Sequence, residues 1–354
     1  MAFALFMGLS FYKGKKAAPV VSQPEEKKEE EPAGPMWLAV VKVIGGLAVL
    51  VFSCDVFVDN AVLIAKSFGV NDAFISLPLI ACGTSLPELA ASIAAAVKKN
   101  TSMALGNIVG SNIFNTLLIL GITALISPLT ITKSNLKRDI PLNIIVTVIL
   151  ILLGMNFTIF GVGKNQLCRI DGVILLGIFI LYLWSSFKSE SSDEENSEEG
   201  IKEYSILMSA VMVAAGLASL IFGGKLFVNS ATELAKMFGV SDKFIAITVM
   251  AAGTSMPELA TCVVAALKGR GQLALGNVLG SNIANILLIL GGSALISPLS
   301  FNGLTYVDIG IVLLCAAFIF ASAFLFKKRQ IDRYEGAILV LTEVGYMWYL
   351  ISSL

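Results

Sequence analysis

Glu88 and Glu258 stand inside long apolar stretches, each directly after a proline, four residues after a threonine and three after a serine. The two segments read Gly83-Thr-Ser-Leu-Pro-Glu-Leu-Ala90 and Gly253-Thr-Ser-Met-Pro-Glu-Leu-Ala260. Helical residues three and four apart share a face, so Glu88 lies beside Thr84 and Ser85, and Glu258 beside Thr254 and Ser255. A carboxylate at the centre of a bilayer costs ~3 kcal/mol or more, so its default reading is functional. Proline lacks an N–H and clashes with the carbonyl four residues back, which predicts a helix break near Gly83 and freed carbonyls around residues 81–83. Irregular backbone at membrane depth survives only where it lines a cavity or is buried in protein.

A second polar stripe follows each glutamate. Asn107, Ser111 and Asn115 are spaced four apart and recur as Asn277, Ser281 and Asn285. Gly106 and Gly110, then Gly276 and Gly280, form GxxxG pairs that predict close helix approach. Every candidate ligand is a hard oxygen. Ca2+ takes about six to eight of these in flexible geometry, two glutamates neutralise one divalent ion, and Na+ can compete for the same oxygens. A lone serine or threonine usually bonds back to its own helix, and Asn107 and Asn277 suit helix packing as well as ion contact.

Other chemistries are poorly served. The chain has no histidine, and its five cysteines (Cys54, Cys82, Cys168, Cys262, Cys315) form no CxxC pair. Imidazole and thiolate metal sites therefore drop out. No nucleophile–base pair marks an enzyme, no cofactor is called for, and a net charge of zero gives no electrostatic argument for nucleic acid.

The elements that must position these residues are membrane helices. Of 354 residues 56% are hydrophobic and only 14% charged, against about a quarter charged in soluble domains. Apolar segments of spanning length fall near 37–62, 73–97, 104–127, 140–157, 172–187, 206–232, 244–267, 272–297, 306–326 and 335–352, an all-α integral membrane fold of ten helices. Residues 83–130 and 253–300 align without a gap, with 30 identities in 48 positions at an offset of 170, and Phe68-Gly-Val70 matches Phe238-Gly-Val240 at the same offset. Five helices separate equivalent positions, and five is odd. The copies are thus expected to be inverted five-helix repeats, residues 36–188 and 205–354, with a site near the midplane where they meet.

Alternate loops carry twelve Lys and Arg on one side and six on the other, which places the first side, with the acidic linker 189–204 (its acidic run being 189–203), in the cytoplasm. Residues 1–35 read as a short apolar start, resembling the tail of a helix whose beginning is missing, and a disordered charged linker. Asp55, Asp59, Lys42 and Lys225 fall near helix ends, where snorkelling explains most of them, whereas Glu343 lies deep in the last helix with no counterpart in the first copy.

At the motifs GTS[LM]PE and GN[IV][VL]GSNI[FA]N, each present twice, the chain resembles the cation/calcium antiporter superfamily, in particular the prokaryotic sodium/calcium exchangers, over residues 37–352. The resemblance implies a bacterial or archaeal cell membrane and four central ion sites. Glu88 and Glu258 would be the main Ca2+ ligands. Thr84, Thr254, Ser85, Ser255, Ser111, Ser281, Asn115, Asn285 and the Ala81 and Ala251 carbonyls would complete the Ca2+ and Na+ sites. The first and sixth helices would slide against this core. Many relatives have Asp where this chain has Asn285, which speaks against K+ coupling, and the absence of a GNxxE motif speaks against H+ coupling. The function implied is Na+/Ca2+ antiport, with Ca2+, Na+ and the lipid bilayer as partners. The alternatives are an antiporter driven by H+ or carrying another divalent such as Mn2+, a passive channel, and a non-transporting membrane enzyme or receptor. The sequence sets no oligomeric state.

Overall fold

The computed structural model describes residues 35–67, 80–161, 163–188, 205–237, 251–324 and 329–352. The apolar start, the acidic linker 189–204, the Phe68–Val70 and Phe238–Val240 matches and the segments 73–79 and 244–250 lie outside the described residues. Described residues are overwhelmingly helical. Among the described residues six helices are long and apolar enough to cross a membrane: Met36–Ile64, Thr101–Ile126, Arg169–Ser186, Ile206–Ala231, Gly271–Ile296 and Tyr306–Phe324. Two shorter apolar helices, Leu86–Val97 and Met256–Leu267, carry the glutamates. Each begins directly after a break in its run.

Two inner helices, Thr101–Ile126 and Gly271–Ile296, are mostly buried, whereas the two 32-residue helices Met36–Ser67 and Ile206–Met237 are largely exposed. Their outer faces are apolar, with Phe52 72% and Leu207 77% exposed. A surface of that kind suits lipid, where no hydrophobic force opposes exposure. Buried apolar side chains fall into two clusters. The large one joins the inner helices to Ile140–Gly154, Arg169–Lys188, Tyr306–Phe324 and Arg333–Ser352. The small one holds Leu50, Phe57, Leu220 and Phe227 of the outer helices against Met256 and Val264.

The spacing of 170 reappears in the packing. A Cβ on Gly46 would come 2.8 Å from the Phe227 nitrogen, and one on Gly216 2.9 Å from the Phe57 nitrogen, so the outer helices touch through two equivalent, reciprocal contacts. The last helix of each half packs on the inner helix of the other. A Cβ on Gly336 would lie 2.8 Å from the Gly121 carbonyl, and one on Gly172 2.7 Å from the Gly291 carbonyl. Four short strands seal these joints: β1 (Leu129–Thr130) pairs antiparallel with β4 (Gln330–Ile331), and β2 (Gln166–Leu167) with β3 (Leu299–Ser300).

These contacts sort the loops into two groups. One group joins β1 and β4 to Gly271, which abuts Leu129, and to Arg270, whose guanidinium is 2.6 Å from Asp59. The other joins β2 and β3 to Gly303, which abuts Ser102, and to Phe301, which packs over Gly154. The groups lie at opposite ends of the 26-residue Thr101–Ile126 helix, about 39 Å long at 1.5 Å per residue. Leu129 and its equivalent Leu299 therefore sit at opposite ends.

One expectation is corrected. The GxxxG pair in the first copy makes no close approach: a Cβ on Gly106 or Gly110 would meet nothing within 4 Å among the described residues. Close packing uses Gly46, Gly121 and their partners instead. The polar stripes run in regular α-helix as far as Asn115 and Asn285, where π-helical turns, Asn115–Leu120 and Asn285–Leu290, begin. The wider turn rotates everything beyond it, and such bulges are frequent at functional sites.

Candidate ion site

The break in each glutamate-bearing run falls at a serine. Ala81–Thr84 ends at Ser85 (φ −83°, ψ 9°) and the chain resumes as Leu86–Val97; Ala251–Thr254 ends at Ser255 (φ −89°, ψ 11°) before Met256–Leu267. Proline dictates this position. Pro87 and Pro257 fall in the first turn of the new helix, where a missing N–H costs nothing. Glu88 and Glu258 fall in that same first turn, where the unpaired N–H groups and the helix dipole favour negative charge. The Ala81 carbonyl, expected to be free, accepts the Ser85 N–H at 3.0 Å. The hinge tightens onto it, and the Thr84 hydroxyl approaches the same oxygen.

The two breaks meet. Ser85 Oγ donates to Glu258 Oε1 at 2.7 Å, and Ser255 Oγ donates to Glu88 Oε1 at 2.8 Å. Each hinge thus holds the other copy's glutamate. Ser85 Oγ is also 3.1 Å from Ser281 Oγ; with its single proton on Glu258, it accepts from Ser281. Both glutamates are 0% exposed. Thr84 Oγ1 lies 3.2 Å from the Ala81 carbonyl and 3.3 Å from Asn277 Oδ1, one proton between two acceptors. Thr254 Oγ1 reaches Asn107 Oδ1 at 3.5 Å. Asn107 donates to Ser92 and Asn277 to Cys262, so both asparagines hold threonines and neighbouring helices in place.

What remains is a set of buried oxygens without partners: Glu88 Oε2, Glu258 Oε2, Ser111 Oγ, Asn115 Oδ1 and Asn285 Oδ1. Buried polar atoms are nearly always bonded, so five orphaned oxygens on two broken and two inner helices call for a ligand that accepts lone pairs. Among the described residues no group of three or more His, Cys, Asp and Glu occurs, so hydroxyl and amide oxygens must complete any cation shell. Ala251, the remaining expected ligand, heads the segment equivalent to Ala81–Thr84.

Sequence reasoning passed over Asn112, Asn282 and Thr116. Asn285 Nδ2 donates to Asn112 Oδ1 at 2.9 Å, and Asn115 Nδ2 donates to Asn282 Oδ1 at 3.3 Å. Asn282 Nδ2 donates to Thr116 Oγ1 at 2.9 Å. An asparagine after the serine in both copies was the available signal, but nothing in the spacing points it at the other copy. Glu343 is 3% exposed, sits in Arg333–Ser352 and has no hydrogen-bond partner for either oxygen. It takes no part in the bonds between the two breaks.

Known proteins resemble this chain over most of its length. The sodium/calcium exchanger protein family matches residues 38–188 and 208–352. A putative antiporter, CaxA, from Alkalimonas amylolytica is 37% identical over 329 residues, covering 90% of this chain and all of that one. The sodium/calcium exchanger MaX1 from Methanosarcina acetivorans is 34% identical over 334 residues, 85% of this chain and 95% of that one. A solved structure of the sodium–calcium exchanger NCX_Mj superposes with a TM-score of 0.75 at 30% identity, covering 89% of this chain and all of its own. With both halves matched and a buried, oxygen-only site where their broken helices meet, the chain belongs to the sodium/calcium exchanger family.

Proposed function

We propose that this protein exchanges Na+ for Ca2+ across a membrane by alternating access to one shared site. The observation that carries the reading is the reciprocal pair Ser85–Glu258 and Ser255–Glu88, surrounded by unpartnered buried oxygens. Two buried carboxylates without a counter-charge are costly, and one divalent cation, or Na+ ions in its place, offsets that cost. Glu88, Glu258, Ser111, Asn115 and Asn285 supply oxygens directly; Ser85, Ser255 and Ser281 orient the carboxylates. Thr84, Thr254 and the Ala81 and Ala251 carbonyls line the breaks.

The chain is read as ten transmembrane helices in two inverted halves, 36–188 and 205–354, joined by the linker 189–204. The opposite placement of Leu129 and Leu299 supports the inversion. The excess of Lys and Arg at the Leu129 end supports a cytoplasmic position for that end and the linker. The outer helices pack closely on each other and meet the glutamate-bearing helix Met256–Leu267 through the small apolar cluster, which suits them to move as a pair against the rest.

The test is radiolabelled Ca2+ flux into vesicles holding the purified chain, under a Na+ gradient and then a pH gradient. Na+-dependent uptake is expected, and Glu88→Gln is expected to reduce it by at least about 100-fold, as loss of a charged ligand from a buried site should. Uptake that follows pH and ignores Na+ would overturn the reading in favour of H+ coupling.

A further inference from the structure

Asparagine can serve a cation only through its oxygen; turned over, it presents two N–H donors that repel the ion. Something must therefore choose the sense of the Asn285 amide, which is fully buried beside the two glutamates' helices. The choice is traceable bond by bond. Asn112 lies 3.2 Å from the backbone carbonyl of Asn282. A carbonyl only accepts, so the Asn112 atom facing it must be Nδ2. Its other end, Oδ1, then faces Asn285 and can only accept, so the Asn285 atom at 2.9 Å must be Nδ2. Asn285 Oδ1 is left pointing away, without a partner. Each link has one allowed direction, and the whole chain is anchored on a main-chain group that cannot turn.

From this we infer that Asn112 is a positioning residue, which holds the Asn285 amide oxygen toward the ion site. The inference rests on the reading of Asn285 as an ion ligand. The equivalent chain in the other half is anchored differently. Asn115 donates to Asn282, which donates to the Thr116 hydroxyl. A hydroxyl donates as readily as it accepts, so this chain has no fixed sense. The second copy has Ile286 where the first has Thr116, and with no hydroxyl there Asn112 turns to the main chain instead. The two amides are thus unequal ligands: Asn285 is locked as an oxygen donor and Asn115 is not.

The experiment is a double-mutant cycle on the full chain in vesicles, reading the half-saturating concentrations of Ca2+ and Na+ for wild type, Asn112→Leu, Asn285→Leu and the double variant. Each single change is expected to weaken at least one ion by about 10- to 100-fold, as loss of a ligand or of the group orienting it typically does. The double variant is expected to be no worse than Asn285→Leu alone, because Asn112 acts only through the amide already removed. Melting temperature in detergent is expected to stay close to wild type. An unchanged Asn112→Leu, or losses that multiply in the double variant, would overturn the positioning role. An Asn285→Leu that weakens neither ion would instead remove Asn285 from the site, and the inference with it. If Asn112→Leu does not fold, Asn112→Ala enters the same cycle with the same outcomes.

Discussion

Ser85 and Ser255 occupy equivalent hinges, yet their surroundings differ by one bond. Ser85 holds Glu258 and also accepts from Ser281, whereas Ser111, the equivalent of Ser281, has no partner for its hydroxyl. A hydrogen bond to a charged group is worth about 1.5–3 kcal/mol, and about 1.4 kcal/mol is a factor of ten. Ser85→Ala is therefore expected to raise the half-saturating Ca2+ concentration by about tenfold or more, and further than Ser255→Ala does. Equal effects in the vesicle assay would mean that the Ser281 contact contributes nothing to holding Glu258. At this scale the ligand types are legible in the sequence: glutamate, serine and threonine on one face, twice. Their engagement is not. The Ala81 carbonyl is bonded and Asn112 matters, and both facts depend on which atoms the fold brings within about 3 Å.

Among the elements, proline position explains why the glutamate-bearing runs break one residue before Leu86 and Met256 and not at the glycine. The outer helices are set by glycine instead. At Gly46 and Gly216 the obstacle to a Cβ is the backbone of Phe227 or Phe57, which cannot swing aside. Gly46→Ala and Gly216→Ala are each expected to cost about 1–3 kcal/mol, seen as a lower melting temperature in detergent. Gly106→Ala, with nothing within 4 Å among the described residues, is expected to leave stability unchanged or slightly raised. The opposite ranking would restore the GxxxG reading of the inner helix. In the first copy that motif misled because it marks where a helix could be approached and does not say whether a neighbour comes.

Across the whole molecule, the repeat symmetry is broken at the ends. Lys268 lies 2.7 Å from Asp55 and 3.4 Å from Asp59, and Arg270 lies 2.6 Å from Asp59, tying the first outer helix to the turn after Leu267. At the other end the equivalent positions are Lys225, Asn229, Lys98 and Asn100, which carry no acid. Desolvation works against the Lys268 ammonium, but Asp55 and Asp59 outweigh it and hold its pKa above the ordinary lysine value. A raised lysine pKa stabilises below the ordinary value and ceases to do so as pH rises through the shifted one, so the tie is intact at neutral pH. These groups are partly exposed, and such pairs are worth about 0.2–1 kcal/mol and are screened by salt. Asp59→Asn is expected to lower the melting temperature slightly at low ionic strength and not at ~1 M salt, where the Debye length is about 3 Å. A loss that persists at high salt would show that Asp59 acts through packing. Beside the snorkelling expected of them, these acids make a specific contact with a turn about 210 residues away in the chain, which their own helix does not reveal.

The sequence alone determined the class, the repeat and the chemistry. Apolar composition demands a bilayer, self-similarity at a fixed offset needs no folding to be seen, and buried glutamates beside hydroxyls restrict the cargo to hard cations. Tertiary structure decided which copy serves which. Each glutamate is held by the other half's serine, each last helix is packed on the other half's inner helix, and one asparagine is oriented by the other half's main chain. Periodicity records which residues share a face of their own helix. It carries no information about a partner about 170 residues away, and the contacts that join the two breaks are of that kind.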